Sequence, residues 1–580
     1  MASTLYNKKM SKIPSYPTNL QIAELLRDVA ASHKLKNQNK YKFQIIAYER
    51  AADAVEHSTS ELKDLWDDGK LEEIPGIGKS IAGHLDELFK NGKSGHFDEI
   101  MQGIPKKAFK LMELPGIGIK TAVKLIEKES PNKINKLLKK VEEKEKKGKR
   151  HLLPYAALIA TEILEYLLKN TLVARVDPLG SLRRQVATIG DIDLAVATKQ
   201  PERVLKYFTE YPKAVKTIEI GEHTASILLP GEVRVDLMVQ PPGSYGSLLQ
   251  HFTGSKHHNI ALREYALKKG FSLSEYGIKK IKPINEKRKV FKSETEFYKY
   301  LGLDYIQPEL REDAGEIEAA INHSLPNLVK LDQIRADLQI HSNFNIETSH
   351  DLGESSVEEI VKKGNELGYE YLALTEHNPS QKGHSVNQII DILKRKKEVV
   401  EQLNYSLKKK NTNSVQKVFN SLEIDMKPDG TLPVPPAGLS TLDFALVSIH
   451  SSFDLERSVQ TKRVLLALSH PKVLIFAHPT GRKLNEREGA ELNWPEIFDF
   501  CLTYNKLVEI NCDPMRLDLP DALVREAVKK GVKLTLGTDA HHVDGMNNMV
   551  FGVSVARRGW ASSVDIVNCR SLKEFEKMIR

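Results

Sequence analysis

Hydrophobic residues recur every three or four positions in the first quarter of the chain. Leu20, Ala23, Leu26 and Ala30 form one such series, and this spacing places them on a single face of a helix. We therefore predict that residues 18–150 are mostly helical.

Beyond residue 150 the pattern changes to short apolar runs that alternate with helix-like segments. Residues 152–240 combine strand signals with helices, residues 243–310 are mixed, and residues 314–333 are predicted to form a connection. A second and longer α/β region follows. A chain of 580 residues exceeds the size of one ordinary domain, so several domains are expected.

This second α/β region contains seven apolar runs of strand length, and polar residues that can bind metals follow most of them. In barrel-type folds, polar residues at the carboxyl ends of strands form the active site. A single histidine at a strand end is usually structural, but several in one region favour a metal centre, and mixed His, Asp and Glu ligands suit Zn2+, Mn2+ or Fe. The runs 336–340, 369–375, 418–422, 442–449, 473–477, 507–510 and 534–538 are followed by His341, Glu376 with His377, Glu423, His450, His478, Asn511, and Asp539 with His541.

Carboxylates also stand out in the first α/β region. Asp191 and Asp193 lie two apart in a strand-like run, so their side chains point the same way and can share divalent cations such as Mg2+. Asp236 follows inside another apolar strand. An isolated Asp-x-Asp is usually a solvated strand edge, but three carboxylates around two metals suit in-line nucleotidyl transfer.

A Gly-Ser pair and two arginines precede these carboxylates. The turn at Gly180 and Ser181 offers backbone N–H groups and a hydroxyl to phosphate oxygens, and Arg183 or Arg184 can complement the phosphate charge. The combination predicts a site for a nucleoside triphosphate.

Composition adds little to this picture. Hydrophobic residues make up 41% and charged residues 28%, which is ordinary for a folded protein, and the net charge of +8 permits a polyanionic partner without requiring one. The three cysteines are scattered, so we expect no disulfide framework and a reducing, cytoplasmic compartment. The polar first residues and the lack of a long apolar run predict neither a secretory signal nor a membrane span.

Two similar turns occur in the helical region. Gly76 and Gly78 belong to an Ile-Pro-Gly-Ile-Gly-Lys segment, and Gly116 and Gly118 belong to a Leu-Pro-Gly-Ile-Gly segment with a lysine shortly after. Such turns expose N–H groups at a helix N-terminus, where they bind a phosphate without reading a base. Ordinary linkers between helices are the alternative, but the repeat resembles paired helix-hairpin-helix motifs that bind the DNA backbone.

Residues 251–259, with the sequence His-Phe-Thr-Gly-Ser-Lys-His-His-Asn, add a further motif to the first half. Together with the Gly-Ser-x-Arg-Arg segment, the three aspartates, Arg263 and the Glu-Tyr-Gly at 275–277, it resembles the family X DNA polymerases over about residues 18–310. The resemblance implies that Asp191, Asp193 and Asp236 hold two Mg2+ ions and catalyse addition of a dNTP to a primer.

The same resemblance implies the roles of the nucleotide-binding residues. Gly180, Ser181 and Arg184 are implied to hold the triphosphate. Phe252 and Gly254 are implied to lie against the sugar, Asn259 to reach the base, and Arg263 to reach the template strand. Two departures from the family are His251, where a tyrosine is common, and His84, where repair members carry the lysine that forms a Schiff base; we expect weak or absent lyase activity.

The ligand order of the second half resembles the PHP (polymerase and histidinol phosphatase) domain. This resemblance implies a distorted seven-stranded barrel with up to three metals, Mn2+ or Zn2+, that hydrolyses phosphoesters as a 3′-5′ exonuclease or at 3′ ends or abasic sites. Gln339 stands where the family's first motif has histidine. The implied metal ligands are His341, Asp351, Glu376, His377, Glu423, His450, His478, Asp539 and His541, with Glu347 and His350 as competitors of Asp351, and Arg482 and Arg516 are candidates for phosphate binding or for surface ion pairs.

The predicted fold is multidomain, with helical and α/β parts. The expected domains are a helix-hairpin-helix domain at 1–92, a fingers-like domain with the second hairpin at 93–150, a mixed α+β nucleotidyltransferase palm at 151–242, a thumb-like domain at 243–313, a linker at 314–333 and a (β/α)7 PHP barrel at 334–580.

The predicted function is a gap-filling DNA polymerase with a fused phosphoesterase, acting in short-patch repair of the base excision type at the nucleoid. Gapped or primed DNA and dNTPs are the expected partners; other repair proteins cannot be read from the sequence. One alternative is a DNA-bound phosphoesterase whose polymerase half mainly holds DNA. Another is a non-enzymatic scaffold for DNA ends, against which both predicted metal sites argue.

Overall fold

The computed structural model describes residues 17, 19–56, 62–67, 69–74, 76–112, 114, 117–146, 150–281, 287–348, 350–409 and 415–579. The chain divides into two compact units. One consists of Met1–Lys149 with Gln200–Met238, and the other consists of Arg150–Lys199 with Val239–Arg580. In the described part of the chain, no helix combines the length and apolarity that a membrane span needs.

The amino-terminal region of the first unit is helical, as the hydrophobic spacing predicts. Its helices are α1 (Asn19–Asn37), α2 (Lys42–Glu56), α3 (Leu62–Asp67), α4 (Lys79–Asn91), α5 (Gly95–Met101), α6 (Lys106–Leu111), α7 (Ile119–Lys128) and α8 (Pro131–Lys146). The apolar stripe of α1 is buried, with Ala23 and Leu26 fully inaccessible in a core that also takes Ala52 from α2 and Leu85 from α4.

The next segment mixes short strands with helices. It contains β1 (His151–Leu152), α9 (Leu153–Leu168), β2 (Arg175–Pro178), α10 (Gly180–Arg183), β3 (Thr188–Ile189), β4 (Ile192–Ala197), α11 (Pro201–Thr209), β5 (Lys216–Ile220), β6 (Thr224–Leu229) and β7 (Val233–Gln240). In the second unit, β2 and β4 are antiparallel, with Asp177 opposite Ala195. In the first unit, β5, β6 and β7 form an antiparallel meander in which Ser226 lies opposite Asp236.

Residues 245–321 form a small domain-like cluster in the second unit. Its elements are α12 (Tyr245–Thr253), α13 (Lys256–Lys268), β8 (Phe271–Ser274), β9 (Gly277–Lys280), α14 (Glu294–Tyr300) and α15 (Glu316–Ile321). Leu262, Phe297 and Leu310 are buried in its core. The indole of Trp560, from the far end of the chain, belongs to the same core, so the last region of the protein packs directly on this cluster.

The C-terminal region alternates strands with helices. Its elements are β10 (Ala336–Ile340), α16 (Val357–Glu366), β11 (Tyr371–Leu374), α17 (Val386–Lys409), β12 (Lys417–Asn420), β13 (Glu423–Asp425), α18 (Pro436–Leu439), β14 (Ala445–Ser448), α19 (Arg457–Leu468), β15 (Val473–Phe476), α20 (Trp494–Tyr504), β16 (Leu507–Asn511), α21 (Asp521–Lys530), β17 (Leu534–Gly537), α22 (Met549–Arg558) and α23 (Leu572–Ile579).

These strands form parallel sheets, and no closed barrel is found among the described residues, so the distorted seven-stranded barrel stays a prediction. Within the described residues, β10, β11 and β12 form one sheet and β13 to β17 form another. Single bridges between Ile340 and Ala540 and between His377 and Glu423 connect the two sheets. The described residues of this region form eight strands where seven apolar runs were predicted. The additional strand is β13, which begins at Glu423, whereas β12 ends at Asn420.

Two candidate metal centres

The predicted triphosphate turn packs against the first pair of carboxylates. Gly180 begins α10 with a φ of 55°, and a Cβ there would lie 2.3 Å from the Oδ2 atom of Asp193. The N–H of Leu179 donates to the Asp193 carbonyl over 2.7 Å. Asp191 is exposed just before β4, and Asp193 is half-buried within it. Only glycine fits both this conformation and this close approach, so the structure brings Gly180 and Asp193 together.

Asp236 lies on β7 and is held by neighbours in its own unit. Ser226 donates its hydroxyl to Asp236, and the Nε atom of Arg234 lies 3.0 and 3.1 Å from the two carboxylate oxygens. Arg234 is two residues earlier on the strand and therefore on the same face, a signal that the sequence offered but that we did not use. Asp191 and Asp193 belong to the other unit, so the three-carboxylate site stays a prediction.

Both arginines after Ser181 bind carboxylates from residues 294–312. Arg183 donates to Glu294 over 3.0 Å and to the Thr253 hydroxyl over 2.6 Å. Burial works against ionisation of Glu294, but Arg311 and Arg183 outweigh it and lower the pKa of Glu294 to about 2. The carboxylate that pairs with Arg183 is buried, whereas Glu312, the partner of Arg184, is 30% exposed, which makes Arg184 the better candidate for phosphate.

The residues predicted to contact the sugar, the base and the template lie on α12 and α13 or, for Gly254, between these two helices. A Cβ at Gly254, whose φ is 68°, would come within 3.1 Å of the Nη1 atom of Arg184, so these two predicted residues are neighbours. Phe252 contacts the His251 ring edge-to-face at 4.8 Å between centroids. The Asn259 amide donates to the His251 carbonyl over 2.7 Å, and Arg263 is exposed on α13.

The two predicted hairpins have the same local geometry where they are described. The N–H of Ile77 donates to Ile74 over 3.0 Å, and the N–H of Ile117 donates to Leu114 over 3.2 Å. Gly78 and Gly118 are the N-cap residues of α4 and α7. Gly76 has a φ of 93° and lies against the Arg50 carbonyl. Gly116 lies outside the described residues. Both turns therefore end at a helix N-terminus, as a backbone-binding hairpin requires.

A second cluster gathers at the carboxyl ends of the C-terminal strands. Its ligand atoms form four overlapping groups, and within each group all atoms lie within 4.8 Å of one another. The groups are His341 with His377 and His541, His350 with His377 and His450, Glu423 with His450 and His478, and His341 with Glu423 and Asp539.

The carboxylate of Glu423 is the centre of this cluster. It is fully buried, with one oxygen 2.7 Å from the Nε2 atom of His478 and the other 3.4 Å from that of His341. Burial raises the pKa of a carboxyl, but the surrounding imidazoles outweigh it and hold the pKa of Glu423 well below its usual range. A buried carboxylate with imidazoles at both oxygens would be able to hold divalent metal together with those imidazoles.

The donor set fits divalent metals. Among the described residues, ring nitrogens of His341, His377 and His478 are buried without a hydrogen-bond partner, which is costly unless another group binds them. His478 and Asp539 have φ values of 25° and 56°, and such strain in non-glycine residues concentrates at functional sites. Imidazole and carboxylate donors together suit Zn2+ or Mn2+.

Gln339 and Asn511 orient the ligands instead of binding metal themselves. The Gln339 amide donates to Glu423 over 2.8 Å and accepts from Asn511 over 3.1 Å, and Asn511 also lies 3.2 Å from an oxygen of Asp539. Gln339 stands where PHP domains usually have their first histidine. Its amide is hydrogen-bonded to Glu423 and, through Asn511, is linked to Asp539.

Of the three candidates for the ligand after His341, this geometry favours His350. His350 belongs to one of the four groups and forms an ion pair with Asp425 over 2.5 Å, whereas Asp351 lines the adjoining cavity and joins none of the groups found among the described residues. Glu347 pairs with His384 over 2.7 Å. Sequence analysis named His350 as a competitor but could not place the insertion.

Glu376, predicted as a ligand, has a different partner. It is buried against the ammonium of Lys396, which lies 2.6 Å away, and it accepts a hydrogen bond from the Ser342 hydroxyl. Burial favours the neutral acid, but Lys396 outweighs it and lowers the pKa of Glu376. Glu376 joins none of the four groups of described residues. A carboxylate already neutralised by a buried lysine has little to offer a metal ion.

A cavity of about 240 Å³ opens onto the cluster. Phe453, Lys483, Arg487 and Arg516 line its wall beside the histidines. The Arg487 guanidinium lies 3.9 Å from the centre of the Phe453 ring, and that of Arg516 lies 3.5 Å from Asp539. Arg482 instead donates to the backbone carbonyls of Arg516 and Leu517, so it braces a loop.

We expect Glu376→Gln and Glu423→Gln to differ in metal content. The first change leaves the four groups intact and should lower thermal stability with the bound metal retained, because it leaves Lys396 as an unpaired buried charge at a cost of about 3–5 kcal/mol. The second removes the shared carboxylate and should release most of the metal. Elemental analysis after dialysis, with a melting curve, measures both; equal metal loss in the two variants would make Glu376 a ligand.

Comparison with known proteins agrees with this geometry. Residues 17–94 match the helix-hairpin-helix domain family, and residues 248–312 match the DNA polymerase beta thumb family. The chain is 32% identical to the DNA polymerase/3′-5′ exonuclease PolX of Bacillus subtilis (strain 168), over 96% of this chain and 99% of that protein.

More distant relatives match about half of the chain. DNA polymerase lambda of Arabidopsis thaliana is 23% identical over 45% of this chain and 54% of its own length, and DNA nucleotidylexotransferase of Xenopus laevis is 23% identical over 48% and 66%. The match to PolX, by contrast, spans both candidate centres. The chain therefore belongs to the family X DNA polymerases.

Proposed function

We propose that this chain is a DNA polymerase with a 3′-5′ exonuclease in its C-terminal half, and that it fills gaps during DNA repair. The observation that carries the proposal is the pairing of two unlike sites in one chain that matches PolX over nearly its full length. One site is built from Gly180 packed on Asp193, and the other surrounds Glu423. We infer the domain boundaries given above, a barrel-like arrangement of the two C-terminal sheets, and a location at the nucleoid.

In the polymerase site, Asp191, Asp193 and Asp236 are the proposed holders of Mg2+. When bound, the ions would lower the pKa of a primer 3′-hydroxyl and neutralise the pyrophosphate. Ser181 and Arg184 are proposed to bind the triphosphate. Arg234, beside Asp236, is placed to orient that carboxylate.

In the hydrolase site, the proposed ligands of Mn2+ or Zn2+ are His341, His350, His377, Glu423, His450, His478, Asp539 and His541. When bound, the ions would supply a hydroxide and polarise the scissile phosphate. Lys483, Arg487 and Arg516 are proposed to hold the phosphate backbone of the 3′ end, and the Phe453 ring offers a surface for a sugar or base. Asn511 keeps the Asp539 carboxylate turned toward the metals.

Separate substitutions should remove the two activities independently. Asp193→Ala should reduce primer extension on a labelled gapped duplex by about 1000-fold or more and leave 3′ trimming intact, because several kcal/mol of charge stabilisation is lost at one site only. His341→Ala and Asp539→Ala should do the reverse. If any one variant loses both extension and trimming, the assignment of the two activities to separate sites is wrong. Normal extension with Asp193→Ala would favour the DNA-bound phosphoesterase alternative.

The basic wall of the cavity can be tested apart from the metals. Arg487→Gln and Lys483→Gln should each raise the exonuclease KM for a single-stranded 3′ end by about 10- to 100-fold, since a charge-assisted hydrogen bond to phosphate contributes about 1.5–3 kcal/mol. Metal content should stay at the wild-type level.

Arg482→Gln is the contrasting variant, because Arg482 donates only to backbone carbonyls in this geometry. It should lower the melting temperature and leave KM within about twofold of the wild type, since surface phosphate binding is retained. If Arg482→Gln raises KM as much as Arg487→Gln does, the assignment of the wall is wrong.

Weak lyase activity is expected because His84 stands at the position of the Schiff-base lysine. Its ring stacks on His96 at 4.0 Å between centroids, and burial with the nearby His96 lowers the pKa of His84. An imidazole forms no stable Schiff base with a deoxyribose phosphate. Borohydride trapping on an incised abasic duplex should give little adduct with the wild type and more with His84→Lys; efficient wild-type trapping would contradict this account.

A further inference from the structure

The helix α22, from the C-terminal region, reaches the arginine that we propose to bind the triphosphate. It ends in Arg557 and Arg558, and both side chains pair with carboxylates from residues 309–312. Arg558 is 8% exposed and donates from Nη1 to the Glu312 carboxylate over 2.9 Å and to the backbone carbonyl of Arg184 over 2.8 Å. One guanidinium therefore touches both the main chain of Arg184 and the acid beside it.

Glu312 is shared between the two arginines. The same carboxylate oxygen that accepts from Arg558 accepts from the Nε atom of Arg184 over 2.9 Å. On its other side, Arg184 donates to the carbonyl of Thr253. Arg558 is itself anchored by Asp521, whose carboxylate lies 2.6 Å from its Nη2 atom. The four charges alternate in sign, so each acid lies beside a base.

The neighbouring turns of α22 cover the same segment. The Ser554 hydroxyl lies 3.2 Å from the side-chain oxygen of Gln185, the residue after Arg184. A Cβ at Gly552 would lie 2.1 Å from the Cys512 sulfur, so the opposite face of the helix packs tightly on the strand β16 of the C-terminal region. The helix is thus fixed to the hydrolase sheets and cannot move away from Arg184 without disturbing that packing.

An arginine side chain carries about 2 kcal/mol of rotamer entropy, which is lost when it grips a ligand. An arginine held beforehand by fixed partners loses less of it on binding and so binds more tightly. We propose that Arg558 is a positioning residue of the polymerase: through Glu312 and the Arg184 main chain it presents the Arg184 guanidinium to the triphosphate of the incoming dNTP. The C-terminal region then contributes to nucleotide binding as well as to hydrolysis. This inference rests on the proposed role of Arg184.

The test measures steady-state gap filling by the full-length protein at a series of dNTP concentrations, which gives KM for dNTP and kcat. Arg558→Gln should raise the KM for dNTP about tenfold, with kcat within about twofold and 3′ trimming unchanged, because a charge-assisted contact is lost at the binding step only. Arg558→Lys, which keeps the charge but cannot reach both acceptors with one fork, should raise KM less. It also serves if Arg558→Gln folds poorly by its melting curve.

Arg557→Gln is the matched control on the same helical turn. Arg557 pairs with Glu309 over 2.7 Å and with the Val329 carbonyl over 3.0 Å, and it supports the same packing. It should leave the KM for dNTP unchanged. If Arg557→Gln raises KM as much as Arg558→Gln does, the effect is one of general packing and the proposal is overturned.

Arg184→Gln separates this inference from the proposed function. If Arg184→Gln raises the KM for dNTP and Arg558→Gln does not, the positioning role is wrong while the nucleotide site stands. If Arg184→Gln has no effect on KM although extension is measurable, the proposed role of Arg184 is wrong and the inference fails with it. If both raise KM, the double variant should be less than additive, since the two side chains act through one contact.

Discussion

The burial of one carboxylate, that of Glu423, is the constraint on which the C-terminal half depends. An isolated ionised carboxylate in a protein interior is costly by several kcal/mol even after relaxation, so it must be surrounded by positive charge. His341, His450 and His478, at three separate strand ends, bring ring nitrogens to this carboxylate that would hold metal ions together with it. Those strands must therefore converge on a single point, and the arrangement of both parallel sheets around that point follows from it.

The polymerase half is organised by a different kind of contact. Close backbone packing, with Gly180 against Asp193, fixes the turn that faces the carboxylates, and ion pairs from Arg183 and Arg184 fix the helices behind it. Because α22 joins this network through Arg558, a helix of the C-terminal region contacts the ion pair of Arg184. The turn at Gly180 and the cluster around Glu423 thus lie on elements of one compact unit, whereas Asp236 belongs to the other unit.

Much of this was accessible from the sequence because the signals were local. The helical spacing around Leu26 and the apolar runs ending in His341 or His478 are read within a few residues, and the structure has helices and strands there. The distorted seven-stranded barrel stays a prediction, because local signals do not fix how strands distant in the chain pair, as at the break between β12 and β13.

Contacts between charged residues far apart in the chain left no such signal. Lys396 neutralises Glu376 from the middle of a long helix, and Arg558 meets Glu312 across 246 positions. Nothing in the periodicity of either segment distinguishes these side chains from solvated ones. His350 was obscured by an insertion, which shifts the ligand by an amount that only the folded loop determines.

In the proposed C-terminal centre, metal ions neutralise the Glu423 carboxylate. Crystals grown with Mn2+ and measured at the manganese absorption edge would locate the ions directly by their anomalous signal. We expect peaks at coordination distance, roughly 2 Å, from carboxylate oxygens of Glu423 and from ring nitrogens of the histidines around it. An ordered cluster without an anomalous peak near Glu423, with the carboxylate paired only with protonated imidazoles, would contradict it.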